Sequence, residues 1–158
     1  MLPEVGQMAP TINLSTVGGQ EVNLADFNGR YVILYFYPKD NTPGCTTEAI
    51  GFRDFYNELT SLNAVVLGVS TDNLISHEKF ALKQNLPYML LADTDKTVSL
   101  AYGVYQEKSM YGKKYLGIVR TTFLIDPQGR IAKVYTKVKV ATHAKEIVHD
   151  LRSLQDMK

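Results

Sequence analysis

Two uninterrupted apolar runs limit the fold of this chain more than any other feature of its sequence. They are YVILYFY at residues 31–37 and AVVLGVS at residues 64–70, and both are rich in β-branched or aromatic side chains. Runs of this length and composition are typical of strands that are buried on both faces, as in the centre of a parallel sheet. Such a sheet needs helices to cover it, so the two runs indicate an α/β protein.

The segments between and after these runs supply the helices and the remaining strands. Apolar residues recur at helical spacing from Cys45 to Leu59. Thr42 is the expected N-cap of this helix, and Pro43 its first residue. The other predicted elements are a hairpin around residues 18–19, helices at 76–84, 96–103 and 142–155, and strands at 86–93, 121–126 and 130–138. This order predicts an α/β sandwich with a mixed central β-sheet flanked by helices, in a single domain over residues 1–158.

Charge and composition limit the classes of partner that the chain can bind. The 17 Lys and Arg side chains nearly balance the 16 Asp and Glu side chains, so we expect no nucleic acid and no anionic membrane as a partner. No stretch approaches the ~20 apolar residues that a membrane-spanning helix needs. The single cysteine cannot form an internal disulfide and indicates a reducing compartment, so we expect a cytoplasmic protein.

That cysteine, Cys45, lies in the stretch NTPGCTTEAI at the predicted start of a helix. With Thr42 as the N-cap it is the third helical residue, where unpaired backbone N–H groups and the helix dipole favour a negative charge. Gly44 places no side chain next to the sulfur and would let another molecule approach the backbone amides. The residues alone leave two interpretations open, an inert core thiol and a reactive thiolate.

Ionisation of a thiol is not enough to make an enzyme. An ordinary cysteine is only ~3% ionised at pH 7, so a rise to an ionised fraction of roughly 75% would gain only ~25-fold. Enzymes typically accelerate reactions by ~10⁶-fold or more. A catalytic thiol would therefore also need a cation or hydrogen-bond donors near the sulfur, to orient the electrophile and stabilise the departing group.

Several segments along the chain have the pattern of one known family. The stretch PKDNTPGCT has Pro38, Thr42 and Cys45 at a spacing that is similar to the active-site loop of the peroxiredoxins. The chain resembles in particular the Q subgroup, the bacterioferritin comigratory proteins, through GQMAP, LYFYPKDNTPGCTTEA, GVSTD, SHEKFALKQNLPYMLLAD, AYGVY and YLGIVRTTFLIDPQGRI. This resemblance covers nearly the whole chain and implies a thioredoxin-like fold and the thiol-dependent reduction of hydroperoxides.

The resemblance also implies a role for individual residues. Cys45 would be the peroxidatic nucleophile, which attacks a peroxide oxygen and becomes a sulfenic acid. Thr42 would hydrogen-bond the thiolate or the bound peroxide, and Pro38 would shield the sulfur from water. Arg120, in IVRTTF, would stabilise the thiolate and polarise the O–O bond, and it is therefore the expected cation. From the residues alone Arg120 is a surface side chain, because arginine is mostly exposed.

Two further residues are candidates for substrate binding. Gly44 is one, because it leaves the backbone beside the sulfur open. Glu48 is the other, and two interpretations of it remain open. It orients Arg120, or it is the acidic residue expected near the start of a helix.

The chain departs from the Q-type pattern at residue 50. Many Q-type members carry a second cysteine five residues after the first, but this chain has Ile50 there and no other cysteine. The sulfenic acid would therefore need an external thiol such as thioredoxin, glutaredoxin or a low-molecular-weight thiol. It would also be open to overoxidation. We expect no cofactor, and a monomer or a weak dimer.

The three histidines and two other functions are the alternatives to a peroxidase. His143 and His149 are six residues apart, which does not place them on one helix face, and His77 has no Cys or acidic ligand pattern. We therefore assign all three structural or solvent-exposed roles and expect no metal. The second functional interpretation is a thioredoxin-fold module that binds a partner or senses oxidants without fast turnover. A disulfide exchanger is disfavoured because a Cys-x-x-Cys pair is absent.

Overall fold

The structure is a computed structural model, and it describes residues 1–156. Its strands are β1 Asn13–Thr16, β2 Glu21–Asn23, β3 Tyr31–Phe36, β4 Ala64–Ser70, β5 Met89–Ala92, β6 Tyr105–Met110, β7 Lys113–Ile118, β8 Thr121–Ile125 and β9 Ile131–Tyr135. Its helices are α1 Pro43–Asp54, α2 Tyr56–Ser61, α3 Leu74–Gln84, α4 Thr97–Ala101 and α5 His143–Asp156, with a 3-10 helix at Leu24–Phe27. Within residues 1–156, none of these helices has both the length and the apolar character needed to cross a membrane.

Seven strands form one sheet in the order β2-β1-β5-β4-β3-β8-β9, and β6 pairs with β7 in a separate hairpin. The central strand β3 runs parallel to β4 and antiparallel to β8. The sheet is therefore mixed, and helices cover it, as the sequence predicts. The predicted hairpin around residues 18–19 is also confirmed, since β1 and β2 pair antiparallel across this turn.

Strand β3 divides the core into two layers. Alternate side chains of a strand point to opposite faces of the sheet. Tyr31, Ile33 and Tyr35 accordingly pack in the layer that contains Cys45 and the buried faces of α1, α3 and α5. Val32 and the other alternate residues of β3 pack in the opposite layer, beneath α4. Burying each large apolar side chain contributes about 1.5–3 kcal/mol, so this strand anchors both layers.

The predicted strands at 86–93 and 130–138 and the predicted helix at 96–103 are shorter in the structure, and three larger differences have a physical reason. The hairpin of β6 and β7 was not predicted, because β6 is the polar sequence YQEKSM and has no alternation of apolar residues. The helix that begins at Pro43 is interrupted at Phe55, so the predicted segment forms α1 and α2. Helix α3 begins at Leu74 rather than at residue 76, because the Asn73 side chain caps it by accepting a hydrogen bond from the Ser76 N–H at 2.9 Å.

Candidate active site

The cysteine lies where the central strand passes into the first long helix. Strand β3 ends at Phe36, a six-residue loop follows, and α1 begins at Pro43. Thr42 has the extended backbone of an N-cap residue, with φ −96° and ψ 155°. Cys45 is therefore the third residue of α1, as predicted, inside the turn whose backbone N–H groups have no partners within the helix. It is 1% exposed and packs in the core layer of α1.

Strand pairing brings Arg120 to this helix start. Strand β8 begins at Thr121 and runs antiparallel to β3, with Thr121 paired to Phe36. Arg120 comes just before Thr121, so it lies beside the end of β3, where the loop to α1 begins. Two segments that are 75 residues apart in the sequence therefore meet at one point.

The guanidinium of Arg120 bridges the sulfur and a buried carboxylate. Its Nη2 lies 3.4 Å from Cys45 Sγ, and its Nη1 donates to Glu48 Oε1 at 2.6 Å. Burial lowers the pKa of Arg120, but the negative charges of Glu48 and Cys45 outweigh burial and raise that pKa above its usual value. The site thus holds a permanent cation against the sulfur.

Glu48 lies on the same face of α1, one turn after Cys45, and is 2% exposed. It is the sixth residue of α1, beyond the first turn, so its contact with Arg120 favours the orienting interpretation over the helix-start interpretation. Burial raises the pKa of Glu48 to about 7, and the charge and hydrogen bond of Arg120 only partly oppose this effect. Among the described residues its Oε2 atom has no hydrogen-bond partner. Burying this oxygen without a partner costs free energy of folding, and the rest of the fold offsets that cost.

Gly44 has a neighbour that the sequence did not indicate. A Cβ atom at this position would lie 3.2 Å from Arg120 Nη2. The glycine therefore makes room for the guanidinium itself, and that guanidinium occupies the space that was expected to admit another molecule.

Thr42 and Pro38 lie at the edge of the site and are both partly exposed. The Thr42 hydroxyl donates to the carbonyl oxygen of Lys39 at 2.8 Å. Thr42 therefore occupies the N-cap position, but its side chain accepts no hydrogen bond from the first turn. The hydroxyl hydrogen is thus used within the loop, so of the two predicted partners, the thiolate and a bound peroxide, only the peroxide can donate a hydrogen bond to the Thr42 oxygen.

Comparison with known proteins places this geometry in a family. Residues 5–134 match the AhpC/TSA family. The chain is 46% identical over 156 residues to peroxiredoxin Bcp of Bacillus subtilis, with 99% of each chain covered. It is 43% identical over 149 residues to peroxiredoxin Bcp of Escherichia coli, which covers 94% of this chain and 96% of that one. This chain belongs to the AhpC/TSA family. It is a Q-type peroxiredoxin, a thiol-dependent peroxidase, with one cysteine.

Solved structures agree with this assignment. The bacterioferritin comigratory protein of Xanthomonas campestris superposes with a TM-score of 0.88 at 40% identity, covering 95% of this chain and 98% of that one. Peroxiredoxin Q of the same organism superposes with a TM-score of 0.85 at 42% identity, over 90% of each chain. These matches confirm the thioredoxin-like fold that the resemblance implies.

One cation near the sulfur of this peroxiredoxin was missed by the sequence analysis. Lys108 lies on β6, in the hairpin that was not predicted, and its Nζ donates to the carbonyl oxygen of Ile118 at 2.9 Å. Partial burial and the charge of Arg120 lower the pKa of Lys108, whereas the negative charge of Cys45 opposes them. Lys108 therefore lies within electrostatic reach of both groups. Its sequence context, a polar hairpin, carries no signal of this placement.

The histidines of the peroxiredoxin are placed as expected, with one addition. His143 is buried and His149 is exposed. His77 is buried and has a structural role, and the fold brings to it two acidic residues that the sequence around His77 does not indicate. One carboxylate oxygen each of Asp40 and Asp72 and one ring nitrogen of His77 lie within 4.8 Å of one another. The sequence could not reveal this group, because its members come from two loops and a helix.

Proposed function

We propose that Cys45 is the peroxidatic nucleophile of this thiol-dependent peroxidase. The observation that carries the proposal is the 3.4 Å contact of Arg120 Nη2 with Cys45 Sγ. The thiolate attacks one oxygen of the hydroperoxide, an S–O bond forms and the O–O bond breaks. The sulfur is oxidised to a sulfenic acid, and the departing hydroxide or alkoxide takes a proton to become water or an alcohol.

Arg120 is proposed to act on both the thiolate and the transition state. Negative charge moves from sulfur to the departing oxygen during the attack, and a fixed guanidinium next to the sulfur stabilises that charge. Its side chain is 21% exposed, so Arg120 connects the buried sulfur to the surface that a peroxide approaches. Glu48 keeps the guanidinium oriented through Nη1, which leaves Nη2 directed at the sulfur.

The loop residues complete the proposed site. The Thr42 hydroxyl donates to Lys39, so its oxygen retains lone pairs that accept a hydrogen bond from the O–H of a bound hydroperoxide. Pro38 shields the sulfur from bulk water, and Gly44 leaves space for the guanidinium. The related protein of Xanthomonas campestris has alkyl peroxide reduction activity. We therefore propose organic hydroperoxides as substrates alongside hydrogen peroxide.

Recycling is proposed to use an external thiol, because the chain has one cysteine. A reductant thiol condenses with the sulfenic acid, releases water and forms a mixed disulfide with Cys45. A second thiol then releases the Cys45 thiol and leaves an oxidised disulfide of the reductant. Thioredoxin, glutaredoxin and low-molecular-weight thiols are the proposed reductants. A reducing compartment such as the cytoplasm would supply them.

The proposed assembly is one domain over residues 1–158, present as a monomer or a weak dimer, with no nucleic acid partner. Analytical ultracentrifugation of reduced protein over a range of concentrations tests the proposed assembly. A stable oligomer at every concentration would contradict it.

The chemistry is tested by trapping the oxidised sulfur. Protein treated with hydrogen peroxide should be labelled at Cys45 by a dimedone-type reagent, and non-reducing electrophoresis should show no shift from an internal disulfide. Turnover with a panel of reductants then identifies the recycling thiol. Failure of the reagent to label Cys45 during oxidation would contradict the sulfenic acid route.

A further inference from the structure

The loop between β3 and α1 is tied to helix α3 on the side away from Arg120. Asp40, in the middle of this loop, accepts hydrogen bonds at Oδ2 from His77 Nδ1 at 2.7 Å and from the Ser76 hydroxyl at 2.8 Å. Its backbone N–H donates to Asp72 Oδ2 at 2.8 Å. Further along α3, Lys83 donates to the side chain of Asn41 at 3.3 Å. The segment that leads into Thr42 and Cys45 is thus fixed by contacts from outside the loop.

The protonation state of the central pair follows from its partners. The Nε2 atom of His77 faces the carbonyl oxygen of Leu91 at 2.9 Å, and a carbonyl can only accept, so Nε2 carries a hydrogen. Nδ1 faces the carboxylate of Asp40, and a proton shared between an imidazole and a carboxylate stays on the more basic imidazole. His77 is therefore an imidazolium paired with an ionised Asp40. Both side chains are at most 3% exposed.

Asp40 uses both of its carboxylate oxygens within the protein. Oδ1 accepts from the Tyr37 hydroxyl at 2.5 Å, and Oδ2 accepts from His77 and Ser76. Asp72 Oδ2 is likewise engaged, by the Ser70 hydroxyl and the Asp40 backbone. A cation would have to displace these donors, so the geometry favours a closed ion-pair network over a metal site at Asp40, Asp72 and His77.

We infer that the hydrogen bond between the His77 imidazolium and Asp40 positions the active-site loop, and that the reaction of Cys45 with peroxide depends on this contact. His77 and Asp40 are positioning residues, because neither is among the groups that contact the sulfur. The inference rests on the proposed role of Cys45 as the nucleophile. A shift of reacting groups by about 1 Å can lower a reaction rate by about 100-fold. Contacts that fix this loop therefore affect the rate constant of Cys45 oxidation.

The charge of His77 makes this anchor sensitive to pH. The titratable groups of the described chain that face it are Asp40 and Tyr37, from β3 and its loop, and Asp72 after β4. Strand β5 contributes the carbonyl oxygen of Leu91. Burial lowers the pKa of His77, but the hydrogen bond and charge of Asp40 outweigh burial and raise it. Loss of one ring proton would set a nitrogen lone pair against either the Asp40 carboxylate or the Leu91 carbonyl oxygen, and would weaken the anchor.

Two substitutions at residue 40 separate positioning from packing. In Asp40→Ala the contacts of the residue-40 side chain with His77 and Ser76 are lost, and we expect the rate constant of Cys45 oxidation by hydrogen peroxide to fall about 10- to 100-fold. In Asp40→Asn the amide nitrogen of the new side chain can donate to Nδ1 of a neutral His77 and to the Ser76 oxygen, and the amide oxygen can still accept from Tyr37. We expect this variant to retain the wild-type rate within about threefold.

The state of His77 provides a readout that packing alone would not change. Nitrogen NMR at about pH 6, below the ordinary pKa of histidine, should show an imidazolium in the wild type and, in Asp40→Asn, a neutral ring protonated at Nε2. Tyr102→Phe is a control for lost stability, since Tyr102 lies in the opposite core layer and its hydroxyl donates a part-buried hydrogen bond to the Pro10 carbonyl oxygen. This control should react with peroxide at the wild-type rate.

The failure of this inference is distinguishable from failure of the proposed function. If the wild-type protein reacts no faster than free cysteine, the proposed role of Cys45 is wrong. If the wild type reacts fast and Asp40→Ala matches it within twofold, the positioning role is overturned. If Asp40→Ala does not fold, the NMR comparison decides. A neutral His77 in the wild type at about pH 6, or an imidazolium in Asp40→Asn at the same pH, overturns the inference.

Discussion

Two buried ion pairs flank the same active-site loop, and they differ in how completely their hydrogen bonds are satisfied. In the pair of Asp40 and His77, both carboxylate oxygens and both ring nitrogens have partners. In the pair of Glu48 and Arg120, Oε2 has no partner in the described chain, and Nη2 is directed at Cys45 Sγ. The first pair is closed within the protein, whereas the second is open toward the reacting atom.

The difference assigns a positioning role to the pair of Asp40 and His77 and a chemical role to the pair of Glu48 and Arg120. A satisfied buried network fixes backbone position, because every group would lose a partner if the loop moved. A buried network that contains a polar atom without a hydrogen-bond partner is less stable than a satisfied one. Such atoms are expected at functional sites. The loop of this peroxiredoxin is thus held firmly from one side and presented to its substrate from the other.

Among the predicted effects, removal of the sulfur beside the pair of Glu48 and Arg120 should lower peroxidase activity the most. We expect Cys45→Ser to have no measurable peroxidase turnover, because a serine hydroxyl is not ionised at neutral pH and cannot form a sulfenic acid. Turnover with each reductant of the panel is the measurement, with circular dichroism as the control for folding. Full activity in Cys45→Ser would show that the chemistry occurs elsewhere.

Removal of the cation should have the next largest effect. Arg120→Met keeps most of the side-chain volume, and we expect the rate of Cys45 oxidation to fall by about 10²- to 10³-fold, the usual cost of one transition-state donor. Unfolding should also become easier by about 2 kcal/mol, less than the ~3–5 kcal/mol of a fully buried pair, because the Arg120 side chain is 21% exposed.

The double variant Arg120→Met with Glu48→Gln is the matched control for this loss. It removes the buried charge that Arg120→Met leaves without a partner, so we expect it to recover most of the stability and none of the rate. Urea unfolding and stopped-flow oxidation are the two measurements. Recovery of the rate together with the stability would mean that Arg120 acts only through folding.

The two pairs should also be separable by the pH dependence of stability. The folded pKa of Glu48 is raised from 4.5 to about 7, so the folded state holds that proton longer than the unfolded chain. The contribution of Glu48 is therefore complete below pH 4.5 and is lost as pH rises toward 7. The raised pKa of His77 gives a loss of the same sign at higher pH, beginning above its unfolded value of 6.5.

Urea unfolding at several pH values checks this separation. Relative to the wild type, Glu48→Gln should remove the decline between about pH 4.5 and 7. Asp40→Asn should remove the decline above about pH 6.5. Identical curves for the wild type and both variants would contradict the contrast between the pairs.

The smallest predicted effect concerns the space next to the guanidinium. A Cβ atom at residue 44 would lie 3.2 Å from Arg120 Nη2, so Gly44→Ala should displace the guanidinium and slow Cys45 oxidation by about 3- to 10-fold. Gly51→Ala, in the same helix, is the matched control, because its Cβ would meet the Ala144 Cβ at an ordinary 3.5 Å. The control should keep the wild-type rate and gain about 0.5–1 kcal/mol of stability. Equal rates in both variants would remove the proposed role of Gly44.

The sequence predicts most of the fold because its signals are local. The apolar runs of β3 and β4 and the Thr42–Pro43 helix start each depend on neighbouring residues. The polar hairpin of β6 and β7 has no such signal, and its strands are found only by their pairing with each other. Lys108 was missed for the same reason.

The candidate site was predictable from the sequence only in part. Its helix-start cysteine could be found from local pattern, and a need for a cation followed from rate magnitudes. The identity of that cation came from the family resemblance, because only the pairing of Thr121 with Phe36 brings Arg120 to Cys45. The contact between Asp40 and His77 joins residues that are 37 positions apart, and neither has a pattern that points to the other.

The central claim is that Arg120 makes the buried sulfur of Cys45 a fast peroxide reductant. The most direct test is the rate constant of the reduced wild-type protein with hydrogen peroxide, measured by stopped flow through the ultraviolet absorbance of the thiolate and compared with free cysteine. We predict a rate constant many orders of magnitude above that of free cysteine. A rate constant near that of free cysteine would contradict the account and favour a sensor or binding module.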